Sequence, residues 1–249
     1  KAKEDAIDAN DDLTAEEKTK AKAEAKAKAD AAKQAIDNAT TNAEVEQAKT
    51  AGTTAVDSVN PVAIAKPKAK QAIDEALKAK NDEIDARTDL TAEEKTVAKE
   101  EAKAKADAAK QEIDKATTND AVTQAKVDGI TEVASVNPQP EAKTEAKKVI
   151  YDALKAKNDE IDARTDLTGE EKAKAKEEAK KKADAAKEAI DNATTNAAVE
   201  QAKADGATSV DSVNPTPQAK PAAKQAIEDA LKAKNDAIDA RTDLTDEEK

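Results

Sequence analysis

Apolar side chains along this chain form three kinds of helical stripe, and the three follow one another in fixed order. Over residues 67–87, Ile73, Leu77 and Ile84 fall at i, i+4 and i+11, with Ala69, Ala72 and Ala76 on the same side. A period near 3.6 residues predicts an amphipathic helix. Pro67 suits its first turn, where a missing amide costs nothing, and Thr88-Asp89-Leu90 closes it. Over residues 92–115 the inward positions are Ala98, Ala102, Ala106, Ala109 and Ile113, followed by Ala116, a seam made almost wholly of alanine. At 1.5 Å per residue that helix is about 36 Å long. A third stripe, Val122, Ala125, Gly129, Val133 and Val136, follows the cap residues Thr117-Thr118-Asn119.

Two details sharpen the pattern. Thr91-Ala92-Glu93-Glu94 matches a capping box, in which the Thr hydroxyl and the third-position Glu satisfy each other's amides. Thr14/Glu17, Thr168/Glu171 and Thr245/Glu248 repeat it. Leu90 precedes the cap, but Lys95 stands where the other half of a hydrophobic staple belongs, so no staple is expected. Gly129 lies on the inward stripe of the third helix, as do Gly52 and Gly206 on theirs. An interior glycine costs about 1 kcal/mol against alanine; close approach of an alanine-lined partner accounts for it better than a bend.

All of this recurs every 77 residues without insertion or deletion: Leu13, Leu90, Leu167 and Leu244 open the same Leu-Thr-x-Glu-Glu-Lys run, and Asn60-Pro61, Asn137-Pro138 and Asn214-Pro215 keep the interval. Fixed self-similarity means tandem copies of one unit. A residue before proline leaves the helical region, so the third helix is expected to stop near Val59, Val136 and Val213. The reading is all-α: tandem three-helix bundles stacked end to end into an elongated rod of order 100 Å. Its parts are residues 1–60 (a partial repeat), 61–137 and 138–214 (complete repeats), and 215–249 (a second partial repeat). Bundles assembled instead from a second, third and following first helix remain an open alternative.

Composition first raises an objection. Leu, Ile and Val number 32 of 249, Phe is absent, and the net charge is −12, a combination that marks disorder. The strict periodicity and the helix-forming Ala, Glu, Lys and Gln outweigh it. Chemistry then narrows. Without His or Cys the chain lacks the usual general base, the commonest metal ligand and thiolate nucleophiles. Carboxylates abound, but they alternate with Lys along faces that are ordinarily solvated. Asp85, Asp89, Glu93 and Glu94 gather at one turn without the spacing of an EF-hand loop. The expectation is therefore no enzyme, no catalytic, cofactor-binding or metal-binding residue, and no cofactor. Acidity opposes nucleic-acid binding, and no apolar run is long enough to insert in a membrane. With no signal peptide, the sequence reads as an internal piece of a longer protein. Tyr151 has no aromatic counterpart at Asp74 or Glu228 and reads as a half-exposed helix residue; Arg87, Arg164 and Arg241 are expected to pair with Asp85, Asp162 and Asp239 or to complement the helix dipole.

Ala-Arg-Thr-Asp-Leu-Thr-x-Glu-Glu-Lys, then Ile-Asp-x-Ala-Thr-Thr-Asn, Gln-Ala-Lys-x-x-Gly and Val-Asn-Pro, taken in order, resemble one family's consensus over the whole chain. This is the tandem helical repeat called domain of unknown function fifteen-forty-two, found in giant cell-wall-anchored proteins of staphylococci, streptococci and lactobacilli. Asn10 in place of the arginine and Gly169 within one capping box are minor departures. The resemblance implies an extracellular protein anchored to the cell wall through segments outside this sequence. It implies a structural spacer or stalk, a monomeric rod that projects an adhesive domain. The alternative is a repeat that itself binds a host protein, such as fibronectin, albumin or immunoglobulin, or mediates cell–cell adhesion. On either reading, host matrix or serum proteins are partners of the parent protein.

Overall fold

A computed structural model describes residues 1–243 and 245–247. The described residues form ten α-helices and no strand: α1 (Ala2–Asp8), α2 (Ala15–Asp37), α3 (Asn42–Asp57), α4 (Ala65–Ala86), α5 (Ala92–Lys115), α6 (Asn119–Ala134), α7 (Glu141–Ala163), α8 (Gly169–Asn192), α9 (Asn196–Asp211) and α10 (Ala219–Asp239). The chain divides into two compact units. One comprises Lys1–Arg87 with Lys95–Pro138; the other comprises Thr88–Glu94 with the chain from Gln139 onward.

In the first unit, α4, α5 and α6 share one core. Ala69 and Ile73 of α4 meet Ala106, Ala109 and Ile113 of α5 and Val122 and Val133 of α6. At the other end of the bundle Ile84 packs on Ala98, Ala102 and Val136. The second unit repeats the arrangement, with Ile150 among Ala183, Ala186, Ile190, Val199 and Val210, and with Ile161 on Ala175, Ala179 and Val213. The grouping left open by the sequence is thus first, second and third helix of one repeat. Alanine on the middle helix lets its neighbours come close, and the isoleucines of the first helix fill the space between them. Nearer the amino terminus, α2 and α3 form the same helical pair, and α1 contributes Ile7 to a small core with Leu13 and Ala21.

The glycines on the third helices sit at the closest approach. A Cβ on Gly129 would lie 2.4 Å from the Ala109 Cβ and 2.8 Å from the Ile73 Cδ1; on Gly206, 2.4 Å from Ala186 and 2.9 Å from Ile150. Gly52 would meet Ala32 at 2.3 Å. Close packing, as the stripe indicated, is what these positions require.

Helix boundaries differ from the expectation in one consistent way. The third helices end at Asp57, Ala134 and Asp211, two residues before the valines that precede Asn-Pro. Val59, Val136 and Val213 leave the helix and turn inward, where all three are buried. The first helix of the second repeat begins at Ala65 rather than Pro67. Leu244 and Glu248, which belong to the last capping box, lie outside the described residues.

Candidate functional site: the joint between repeats

The capping boxes form as the sequence predicts. Thr14 Oγ1 accepts from the Glu17 amide at 3.4 Å, and Glu17 Oε2 accepts from the Thr14 amide at 3.0 Å. Thr91 with Glu94 and Thr168 with Glu171 do the same. The free amides at a helix start are thereby satisfied.

Glu17 does more than cap its own helix. Its other oxygen, Oε1, accepts from the amides of Ile64 at 2.9 Å and Ala65 at 3.0 Å, the first turn of the next repeat's first helix. This second cap is why α4 starts two residues early. Beside it Lys66, 6% exposed, donates to two backbone carbonyls: Asp11 at 2.8 Å, in the turn before α2, and Asp114 at 2.7 Å, at the end of α5. Across the same contact the Ala15 amide donates to the Thr117 carbonyl at 2.8 Å, and Glu16 accepts from the Asn119 amide at 3.0 Å. Thr14, fully buried, donates through its hydroxyl to Asn119 Oδ1 at 2.8 Å. The turn that closes one bundle is therefore held by the start of the next first helix and by the next second-to-third turn.

The second unit contains the same joint, 77 residues on. Glu94 Oε1 accepts from the Ala142 amide at 3.0 Å, Glu93 from the Asn196 amide at 3.0 Å, and the Thr194 carbonyl from the Ala92 amide at 2.8 Å. Lys143, 4% exposed, donates to Thr88 at 2.9 Å and Asp191 at 2.7 Å. A third instance begins at Glu171, which accepts from Gln218 at 2.8 Å and Ala219 at 3.0 Å, while Lys220 donates to Thr165 at 2.7 Å. Leu13, Leu90 and Leu167, with no staple partner at Lys18, Lys95 or Lys172, are buried at these joints. Glu93 and Glu94 are thus occupied by backbone amides.

Electrostatics follow from these contacts. The amides of Thr168, Ala219 and Gln218 hold the Glu171 carboxyl down at about 2. For Glu17, burial works to raise the value, and the amides of Thr14, Ile64 and Ala65 together outweigh it and leave it lowered. A carboxylate whose folded value is depressed stabilises the folded form above its ordinary value of 4.5, and the contribution fades as pH falls toward 2. Carboxyl titration by NMR should give Glu171 a midpoint near 2; a midpoint at the ordinary value would mean that the bridge to α10 is absent in solution.

Arg164 and Arg241 pair with a following aspartate rather than with Asp162 and Asp239. Arg164 grips Asp166 through Nε at 2.7 Å and Nη2 at 2.6 Å, and reaches Asn214 and the Pro215 carbonyl, both at 3.3 Å. Arg241 takes Asp243 in the same way. Asp162 instead pairs with Lys176, and Asp85 with Lys99. Arg164 has left the helix, with φ −67° and ψ 117°, so its side chain turns toward the following loop and away from the helical face of Asp162. Tyr151 is 60% exposed on α7. Among the described residues, no group of three or more acidic side chains is placed to hold a metal ion, and no helix is long and apolar enough to cross a membrane.

A chain of all-helical tandem bundles, joined by capping carboxylates and buried lysines, belongs to the class of helical repeat proteins. Residues 1–64, 65–141 and 142–218 each match the family described as Domain of Unknown Function (DUF1542), and the chain belongs to it. It is 34% identical over 245 residues to the extracellular matrix-binding protein EbhA of Staphylococcus aureus strain Newman. It is equally similar to the extracellular matrix-binding protein ebh of strain NCTC 8325 / PS 47, and 33% identical to EbhA of strain Mu3. Each match covers 98% of this chain but only 7%, 3% and 4% of the relative's length. No solved structure matches.

Proposed function

We propose that the segment is a structural spacer in a bacterial cell-surface protein, a stalk that carries an adhesive domain away from the wall. The observation that supports this most is the joint itself. In both units a carboxylate and a buried lysine fasten the end of one bundle to the next repeat, with the same partners at the same interval. A fastened joint converts copy number into reach, which a flexible linker does not. The solvated acidic exterior and the lack of His and Cys fit the same role and argue against catalysis.

Small-angle scattering of the purified chain tests the reading. The expected particle is elongated, with a longest dimension of order 100 Å. A globular or random-coil profile would overturn it. The names of the relatives favour a second reading, in which repeats of this family contact the extracellular matrix directly. Saturable binding of this chain to immobilised fibronectin would favour that reading over a passive spacer.

A further inference from the structure

One face of the bundle carries opposite charge in the two complete repeats. In the first unit α4 and α6 border a groove of about 480 Å³, lined among others by Glu17, Ile64, Lys68, Ala69, Val122 and Lys126. Its floor is apolar, and Ile64 at its end is 52% exposed. Both oxygens of Glu17 accept backbone amides, so the charge left to the groove is that of Lys68 and Lys126. Lys70 and Lys110 pair with aspartates on neighbouring helices. Lys68 and Lys126 have no such partner among the described residues. Two like charges beside an apolar floor thus stand uncompensated in a chain of net charge −12.

In the second unit the corresponding face lies between α7 and α9, and there the sign is reversed. In the 77-residue register Glu145 stands for Lys68, Glu141 for Ile64 and Glu200 for Thr123. Lys203 keeps the place of Lys126 but pairs with Glu200. Glu141 and Glu145 are exposed and have no side-chain partner among the described residues. Val149, one turn after Glu145 and in the place of Ala72, is 42% exposed.

We infer that the α4–α6 groove takes a second copy of this chain, which enters with its α7–α9 face. Lys68 and Lys126 then meet Glu145 and Glu200 of the other copy, and Ile64 and Val149 shield each other's apolar surface from water. Charge complementarity selects this occupant. Two α4–α6 grooves would set lysine against lysine, and two α7–α9 faces glutamate against glutamate; like charges opposed disfavour both pairings. The bundles already use the same chemistry internally, where Lys110 meets Asp74 and Lys105 meets Glu132 between helices. Because the two faces differ, the contact is heterologous, the first complete repeat of one chain on the second of its neighbour. Exposed ion pairs are individually weak, so the dissociation constant is expected to be of order 0.1 mM. This goes beyond the spacer reading and stands independently of it, since a stalk needs no lateral contact.

Sedimentation equilibrium of the intact 249-residue chain tests the inference. The weight-average mass should rise from the 26.1 kDa monomer as concentration increases from about 1 µM to about 0.5 mM. Two variants each reverse one face: Lys68→Glu with Lys126→Glu, and Glu145→Lys with Glu200→Lys. None of the four side chains belongs to the buried core, so circular dichroism should be unchanged. Each variant alone should stay at the monomer mass. The second should do so although its smaller net charge would by itself favour association. An equimolar mixture of the two should associate again, because one chain then presents lysine where the other presents glutamate. A constant wild-type mass, association of either variant alone, or a mixture that stays monomeric would overturn the inference. A monomeric wild-type chain that binds a polyglutamate peptide through Lys68 and Lys126 would give the groove to a different acidic partner and overturn it as well.

Discussion

Gly129→Val should lower the unfolding free energy by about 3 kcal/mol, the upper part of the range for overpacking a tight core. The new Cβ would meet the Ala109 Cβ at 2.4 Å and the Ile73 Cδ1 at 2.8 Å. The first of these atoms is fixed to the α5 backbone, so α5 and α6 must separate. Removing a helix-interior glycine returns at most about 0.5 kcal/mol through propensity, and the clash wins. Urea denaturation measures the change. Ala109→Gly introduced together with Gly129→Val should recover part of the loss, because the two sites are in contact and their effects do not add. Gly169 is the control: nothing lies within 4 Å of a Cβ there, so Gly169→Ala should be neutral or stabilising. Equal losses at Gly129 and Gly169 would show that packing has no part in the effect.

Lys143→Met should cost about 2 kcal/mol. Methionine keeps the apolar stem but leaves the carbonyls of Thr88 and Asp191 without the ammonium that each now receives. A lysine on the solvated face, such as Lys155, should be replaceable at a cost below about 0.5 kcal/mol, since its ion pair with Asp159 is exposed. Denaturant midpoints of the two variants compared in one buffer check the difference. If both replacements were equally mild, the joint would not depend on its buried lysine.

Local features were legible because local chemistry determines them. Capping boxes need only a Thr and a Glu three residues apart, and the stripes of Ile, Leu and Ala need only helical spacing. Gly129 could be placed against its neighbour because its phase matched that of Val122 and Val133. Long-range roles were hidden. Nothing within four residues of Glu17 shows that it also caps Ile64 and Ala65, 47 and 48 residues away. Lys66 and Lys143 look like two of many solvated lysines. Their phase was the available signal: Lys66 stands three residues before Ala69 and seven before Ile73, on the apolar stripe. The partners of Arg164 and Arg241 were misplaced because the choice between a preceding and a following aspartate depends on the backbone at the helix end. Only the extended conformation of Arg164 settles it.

The central claim is that each joint is a fixed contact, and hydrogen exchange at its amides tests it most directly. Ala15, Ile64, Ala65, Ala92 and Ala142 lie at helix starts, where amides have no partner within the helix and ordinarily exchange fast. Here each donates across a joint, to Thr117, Glu17, Glu17, Thr194 and Glu94 respectively. Protection comparable to that of the helix interiors is the predicted result. Exchange at the rate of an unstructured chain, with the helices themselves protected, would mean that the repeats are merely tethered and would contradict the account.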